Sequence, residues 1–339
     1  MLNFITLFDR NYLSRGLALY NSLVGHCDNF FLYILAMDLE TENYLNQEKR
    51  DNRIIISLRQ IESCYPELEE IKKERTRAEY CWTLTPYSIQ YAIKKYNLDS
   101  CTYIDADMFF YSDPKVLIDE AGDNSIIITE HRYTPEYDKT KTSGKYCVQF
   151  MYFKNDKNGT EALEWWRQRC KEWCYARQED EKFGDQKYLD DWTTRFKGIY
   201  VPSHIGCGIA PWNMRQYEFH CKNDKVIVSD IITKEQKELI FAHYHELKKI
   251  FFSGKRAWYL GGYYISNDAK NILYKNYITK LLDIENKFSN ELVSLINNTN
   301  NNFHKKSFFI FYIKNIIKSI LFIKRQYALY KNITDVLYL

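Results

Sequence analysis

The feature that most constrains this chain is an exchange, repeated through its first third, of short apolar runs for segments of helical periodicity. Residues 2–8, 30–37, 53–57 and 101–104 have strand length and are rich in β-branched and aromatic side chains. Residues 12–23 and 86–96 carry apolar positions at helical spacing, the second opened by Pro86 with Ile89, Ala92 and Ile93 on one face. Short connections between such segments predict an α/β fold: a Rossmann-like, mostly parallel central sheet with helices on both faces. Ligands of these sheets bind outside the carboxyl ends of the strands. The residues that follow each apolar run are therefore the ones to read for chemistry.

The middle of the chain is less regular. Residues 125–129 and 146–153 read as strands around a polar loop at 133–145, and residues 159–175 as a Trp-rich helix. A further helix is expected from Asp185, after Gly184, and strand-like pieces at 198–201, 225–228 and 239–243. From about Asn267 the pattern turns helical, which divides the chain into a main domain over 1–265 and a C-terminal helical segment over 266–339. Beyond the Asn-rich stretch 297–302, residues 308–323 are almost wholly apolar, with Lys314 and Lys318 on one face. That run falls short of the roughly 20 apolar residues that span a bilayer. It is expected to lie in an anionic membrane surface.

A net charge of +3 is too small to point to nucleic acid. Nine cysteines, an odd number with no C-x-x-C pair, argue against a disulfide framework and against zinc; Cys170 and Cys174 are expected as buried thiols. The opening MLNFITLFD lacks the basic start and small-residue cleavage site of a signal peptide, so a cytoplasmic location is expected.

Asp105 and Asp107 form a D-x-D where an apolar strand runs out. In extended backbone, residues i and i+2 point to the same side, so both carboxylates face the ligand edge of the sheet. Unpaired, they repel and lose hydration. A hard divalent cation relieves both costs, and its other coordination sites take phosphate oxygens. The spacing suits a reaction in which a diphosphate departs. Asp9 and Tyr12, at the end of the first strand, either grip a nucleobase or serve as an N-cap and a packed ring. In H-Y-H-E-L-K-K, His243 is a candidate metal ligand and Lys249 a candidate diphosphate partner. In F-G-D-Q-K-Y-L-D-D-W, Asp185 and Gln186 either cap a helix or reach an acceptor hydroxyl.

In this order the features resemble the GT-A glycosyltransferases, closest in motif order to the glycogenin-like and lipopolysaccharide galactosyltransferase-like retaining enzymes. The resemblance spans residues 1–255 through ordered motifs. It implies that Asp9 and Tyr12 contact the base of a nucleotide-sugar donor, with UDP-sugar expected. It also implies that Asp105, Asp107 and His243 bind Mn2+ or Mg2+ with the diphosphate, that Lys249 holds the diphosphate, and that Asp185 and Gln186 are the catalytic residues beside the reacting sugar. The chain departs from the group in three places: Glu246 stands where Gly is usual, Lys187 where a second Asp is common, and 148–151 (V-Q-F-M) where an Asn-containing segment is expected. Residues 79–212 are also similar to a group of bacterial nucleotide-diphospho-sugar transferases. The expected function is transfer of a hexose to a cell-surface glycan or lipid-linked acceptor. Retention is expected unless Asp185, Asp190 or Asp191 acts as a base for inversion. The alternative is an inert carbohydrate-binding or membrane scaffold protein of the same fold. A nucleotidyltransferase would want a Gly-rich loop where this chain has L-F-D-R-N-Y.

Overall fold

The computed structural model describes residues 1–252, 255–298 and 336–337. Strands β1 (Leu2–Phe8), β2 (Phe30–Ala36) and β3 (Arg53–Ser57) are connected through helices α1 (Leu13–His26) and α2 (Leu39–Gln47) and pair in parallel. β1 and β2 are buried along nearly their whole length, as strands covered on both faces must be. Helices α3 (Leu58–Cys64), α4 (Leu68–Glu74) and α5 (Arg77–Tyr96) lead to β4 (Ser100–Ile104), followed by β5 (Met108–Phe110), α6 (Lys115–Ala121) and β6 (Ile126–Glu130). Next come α7 (Thr140–Ser143), β7 (Tyr146–Lys154), α8 (Lys157–Glu172) and β8 (Ile199–Tyr200). The central sheet runs in the order β3-β2-β1-β4-β7-β6-β8, with β7 antiparallel to both neighbours and the other pairs parallel. Strand order reverses between β1 and β4, so the crevice at their carboxyl ends is the topological switch point.

Two helix boundaries differ from expectation. α5 begins at Arg77 and not at Pro86, because Thr76 and Glu79 form a reciprocal capping box nine residues earlier. Proline inside a helix costs about 3 kcal/mol; α5 accommodates it in a stretch, 83–93, that is buried without interruption. No α-helix starts at Asp185. Gly184 takes φ +53°, and the chain continues as the 3-10 turn Lys187–Asp191 and the short helix Trp192–Arg195. Lys187 donates to Thr140 O and Asp190 accepts from Lys145 N, which fastens this turn to the 140–145 segment.

The aromatic-rich composition is largely a core property: Trp166 stacks on Phe153, and Trp192 meets both edge-on. A second sheet of β9 (Tyr217–Lys222), β10 (Lys225–Asp230) and β11 (Gln236–Glu238) is antiparallel throughout. Its first turn, Asn223-Asp224, has positive φ at both residues, the type I′ hairpin signal that sequence reading passed over. Strand β12 (Phe241–His243) pairs antiparallel with β5.

Residues Met1–His245 and Ile265–Leu281 form one compact unit, and Glu246–Tyr264 with Leu282–Leu339 a second. In the second, β13 (Lys248–Phe252) and β14 (Lys255–Tyr259) make a hairpin extended by β15 (Val336–Leu337). The expected membrane-surface segment 308–323 lies outside the described residues. No helix among the described residues is long and apolar enough to cross a membrane.

Gly16 brings α1 onto the end of β1: a Cβ there would stand 2.3 Å from the buried ring of Phe8. Gly16→Ala is expected to destabilise the fold by about 1–3 kcal/mol. Urea denaturation would read this as a lower midpoint at unchanged slope.

Candidate functional site

β4 ends at Ile104, and Asp105 N donates to Gln149 O on the facing strand at 3.1 Å. Met108 N then returns to Asp105 O at 3.2 Å, closing a turn over 105–108. The two carboxylates thus converge through a turn and not through extended alternation as expected. Pairing of β12 with β5 sets His243 opposite Met108, and Tyr244 N donates to Asp107 O at 3.0 Å. The result places His243 Nε2 3.1 Å from Asp107 Oδ1 and 3.7 Å from Asp105 Oδ2. One donor atom from each of the three lies within 4.8 Å of the others.

These separations fit a shared cation. Bonds of about 2.0–2.2 Å to Mg- or Mn-type ions hold adjacent donors about 3 Å apart and opposite donors about 4 Å apart. The two carboxylates suit a hard divalent cation. Burial disfavours every charge in this cluster. His243 is raised well above an ordinary histidine despite burial, chiefly by Asp107. Burial opposes ionisation of Asp107, but His243 outweighs it and holds the carboxyl at about 2. Asp105, which accepts from Tyr103 OH at 2.9 Å, is raised, burial outweighing His243.

Asp185 is buried close enough to Asp105 to sense its charge; desolvation first and Asp105 second push its carboxyl up to about 8. Its backbone oxygen accepts from Trp166 Nε1 at 2.8 Å. Gln186 Nε2 donates to Ser143 O at 2.7 Å. Lys187 pairs with Asp190 at 2.8 Å, and Asp191 with Arg195.

At the end of β1, Asp9 caps the 3-10 turn Arg10–Tyr12 through Asn11 N (2.8 Å) and is ion-paired with Arg77 Nε at 2.6 Å. The capping expected of Asp9 is therefore present, but Tyr12 is not a packed ring: it is 43% exposed. The charge of Asp107 and then burial raise its hydroxyl to about 12, which sets it on the D-x-D side of the crevice. The Arg15 guanidinium lies 4.5 Å from the centre of the Tyr12 ring. Asp9, Tyr12, Asp105, Asp107, His243 and Asp185 thus gather at the β1/β4 switch point. Lys249 belongs to the second unit, where it is ion-paired with Glu285 and lies 5.2 Å from the Trp258 ring centre. Glu246, where the resembled group has Gly, takes φ +61°, a left-handed conformation that favours glycine.

Two residues at the site were not read as such from the sequence. Tyr277 stacks on Tyr244 (3.8 Å between centroids), is fully buried with no hydrogen-bond partner for its hydroxyl among the described residues, and feels the charge of Asp107. It lies in the segment assigned to the helical tail, so no local signal tied it to the D-x-D. Gln149 lies against the His243 ring at 3.0 Å. Its sequence signal was an amide in an otherwise apolar strand.

No protein-family model matches the chain. It is 31% identical over 288 residues to the uncharacterized protein YfnD of Bacillus subtilis (strain 168), covering 82% of this chain and 88% of that one. It is 30% identical over 249 residues to YfnF of the same organism, covering 71% and 80%. Among solved structures, it is similar in fold to the galactosyltransferase LgtC in complex with donor and acceptor sugar analogs. That match has a TM-score of 0.53 at 12% identity and covers 83% of this chain and 96% of that one.

Proposed function

The chain belongs to the family of Bacillus subtilis YfnD and YfnF and has the GT-A fold, and on that footing we propose that it is a metal-dependent retaining glycosyltransferase. It moves a hexose from a UDP-sugar to a cell-surface glycan or lipid-linked acceptor. The observation that carries this reading is the convergence of Asp105, Asp107 and His243 at the sheet's switch point, beside the exposed ring of Tyr12.

Asp105, Asp107 and His243 would hold Mn2+ or Mg2+, whose charge offsets that developing on the departing diphosphate. Tyr12 offers a face for the base, and Asp9 with Arg77 forms the polar rim beside it. Lys249 would hold the diphosphate, as the order of the motifs implies. Asp185, whose carboxyl is pushed up to about 8 by burial and then by Asp105, would sit beside the reacting sugar. Retention rests on the order of the motifs, with Asp190 and Asp191 already engaged by Lys187 and Arg195. Gln186 offers its acceptor oxygen to a sugar hydroxyl. The setting is the cytoplasm at the inner membrane face, and the apolar, lysine-bearing sequence 308–323 is what motivates membrane contact.

Thermal melting with a panel of nucleotide sugars, each with and without Mn2+, tests the donor class, since a ligand of the native state raises the midpoint by mass action. A metal-dependent rise with a UDP-sugar is expected; no rise with any member favours the inert scaffold. Base–aromatic stacking is worth about 1–3 kcal/mol. Tyr12→Ala is accordingly expected to weaken UDP binding about 10- to 100-fold without altering Mn2+ affinity, read by calorimetry.

A further inference from the structure

We propose that Gln149 is a positioning residue that fixes the ring of His243 in the tautomer whose Nε2 lone pair faces Asp105 and Asp107. The inference rests on the metal-site reading above. Gln149 is fully buried in β7, among Val148, Phe150 and Met151, where an amide is costly unless hydrogen-bonded. Its bonds form a directed chain. Thr129 on β6 donates its hydroxyl to Cys147 O (3.3 Å), so Thr129 Oγ1 is left to accept from Gln149 Nε2, 3.3 Å away. With its N–H2 end assigned to Thr129, the amide turns Oε1 to His243 Nδ1 at 3.0 Å. An acceptor there requires a hydrogen on Nδ1, and a neutral ring then carries its lone pair on Nε2, the atom nearest both aspartates.

The same residue also holds the other side of the site, because its backbone oxygen accepts from Asp105 N at 3.1 Å. Space for the amide comes from Gly208, at φ +74°, where a Cβ would stand 2.7 Å from Gln149 Nε2. One side chain and one carbonyl of Gln149 thus set the aim of His243 and anchor the Asp105 backbone. A bonded Nδ1–H also raises the basicity of the ligating nitrogen.

Calorimetric titration of the full chain with MnCl2 tests this, comparing wild type with Gln149→Leu, Gln149→Glu and Thr129→Val. Losing such an outer partner weakens metal binding by about 10- to 100-fold. That loss is expected for Gln149→Leu. Gln149→Glu, which keeps an acceptor oxygen for Nδ1–H, is expected to bind as tightly as wild type or tighter. Thr129→Val, nearly isosteric, should weaken binding by a smaller factor, and with Gln149→Glu it decides the matter if the Leu variant does not fold. Equal Mn2+ affinity in wild type, Gln149→Leu and Thr129→Val overturns the proposal. So does equal weakening by Leu and Glu, which would mark a packing role only. Flat titrations for every protein, wild type included, would instead overturn the metal site itself.

Discussion

Replacing Asp107 by Asn is expected to lower turnover at least about 10³-fold and to remove the Mn2+-dependent rise in melting temperature, while the metal-free protein still folds. Asn preserves the size of the side chain and the bond from Tyr244 N to the residue-107 carbonyl that ties β12 to the turn. It removes the charge closest to His243 Nε2, which raises that histidine and would help to hold the cation. At a hundredfold excess over its dissociation constant, a ligand of the native state contributes about 2.7 kcal/mol. Melting curves of wild type and Asp107→Asn, with and without Mn2+, check for that difference.

Asp185→Asn is expected to move stability and activity in opposite directions. The ordinary carboxyl value is 3.8, and Asp185 stands at about 8 in the folded chain. Below about pH 4 the group is protonated in both folded and unfolded chains and carries no penalty. As pH rises the unfolded chain ionises first, so folding is progressively disfavoured until pH passes about 8. The accumulated cost is on the order of several kcal/mol in the metal-free protein. Asn cannot ionise, so the variant should melt higher than wild type at pH 8, match it near pH 4, and show a flatter pH profile between. Turnover should fall about 10²-fold or more, because Asn can neither take up nor release a proton beside the sugar. A variant that gains no stability at pH 8 would show that Asp185 is solvated, contrary to its buried position.

What was legible in the sequence was what is local. The first three strands, and the β4 run before the D-x-D, stood out because strands covered on both faces are continuous apolar runs. Asp9, Tyr12, Asp105 and Asp107 followed from the rule that ligands meet the carboxyl ends of such strands. The capping box T-R-A-E at 76–79 marks the start of α5 in the sequence, but the helix was read from Pro86 alone. Pairings between distant segments were not legible from local pattern. His243 was read as a candidate ligand from H-Y-H-E-L-K-K, but its approach to Asp107 depends on β12 meeting β5 across more than a hundred residues. Gln149 faces His243 only because β7 runs antiparallel in a mostly parallel sheet, and Tyr277 comes from a segment whose helical periodicity looked like that of a tail.

The most direct measurement is release of nucleoside diphosphate by the full chain from a panel of nucleotide sugars, with Mn2+ and with a chelator. Expected is turnover of a UDP-sugar that needs the metal and is lost in Asp107→Asn. Turnover that persists at the same rate in the chelator or in Asp107→Asn would contradict a metal-dependent transferase centred on Asp105, Asp107 and His243. So would a folded protein that neither binds nor consumes any nucleotide sugar.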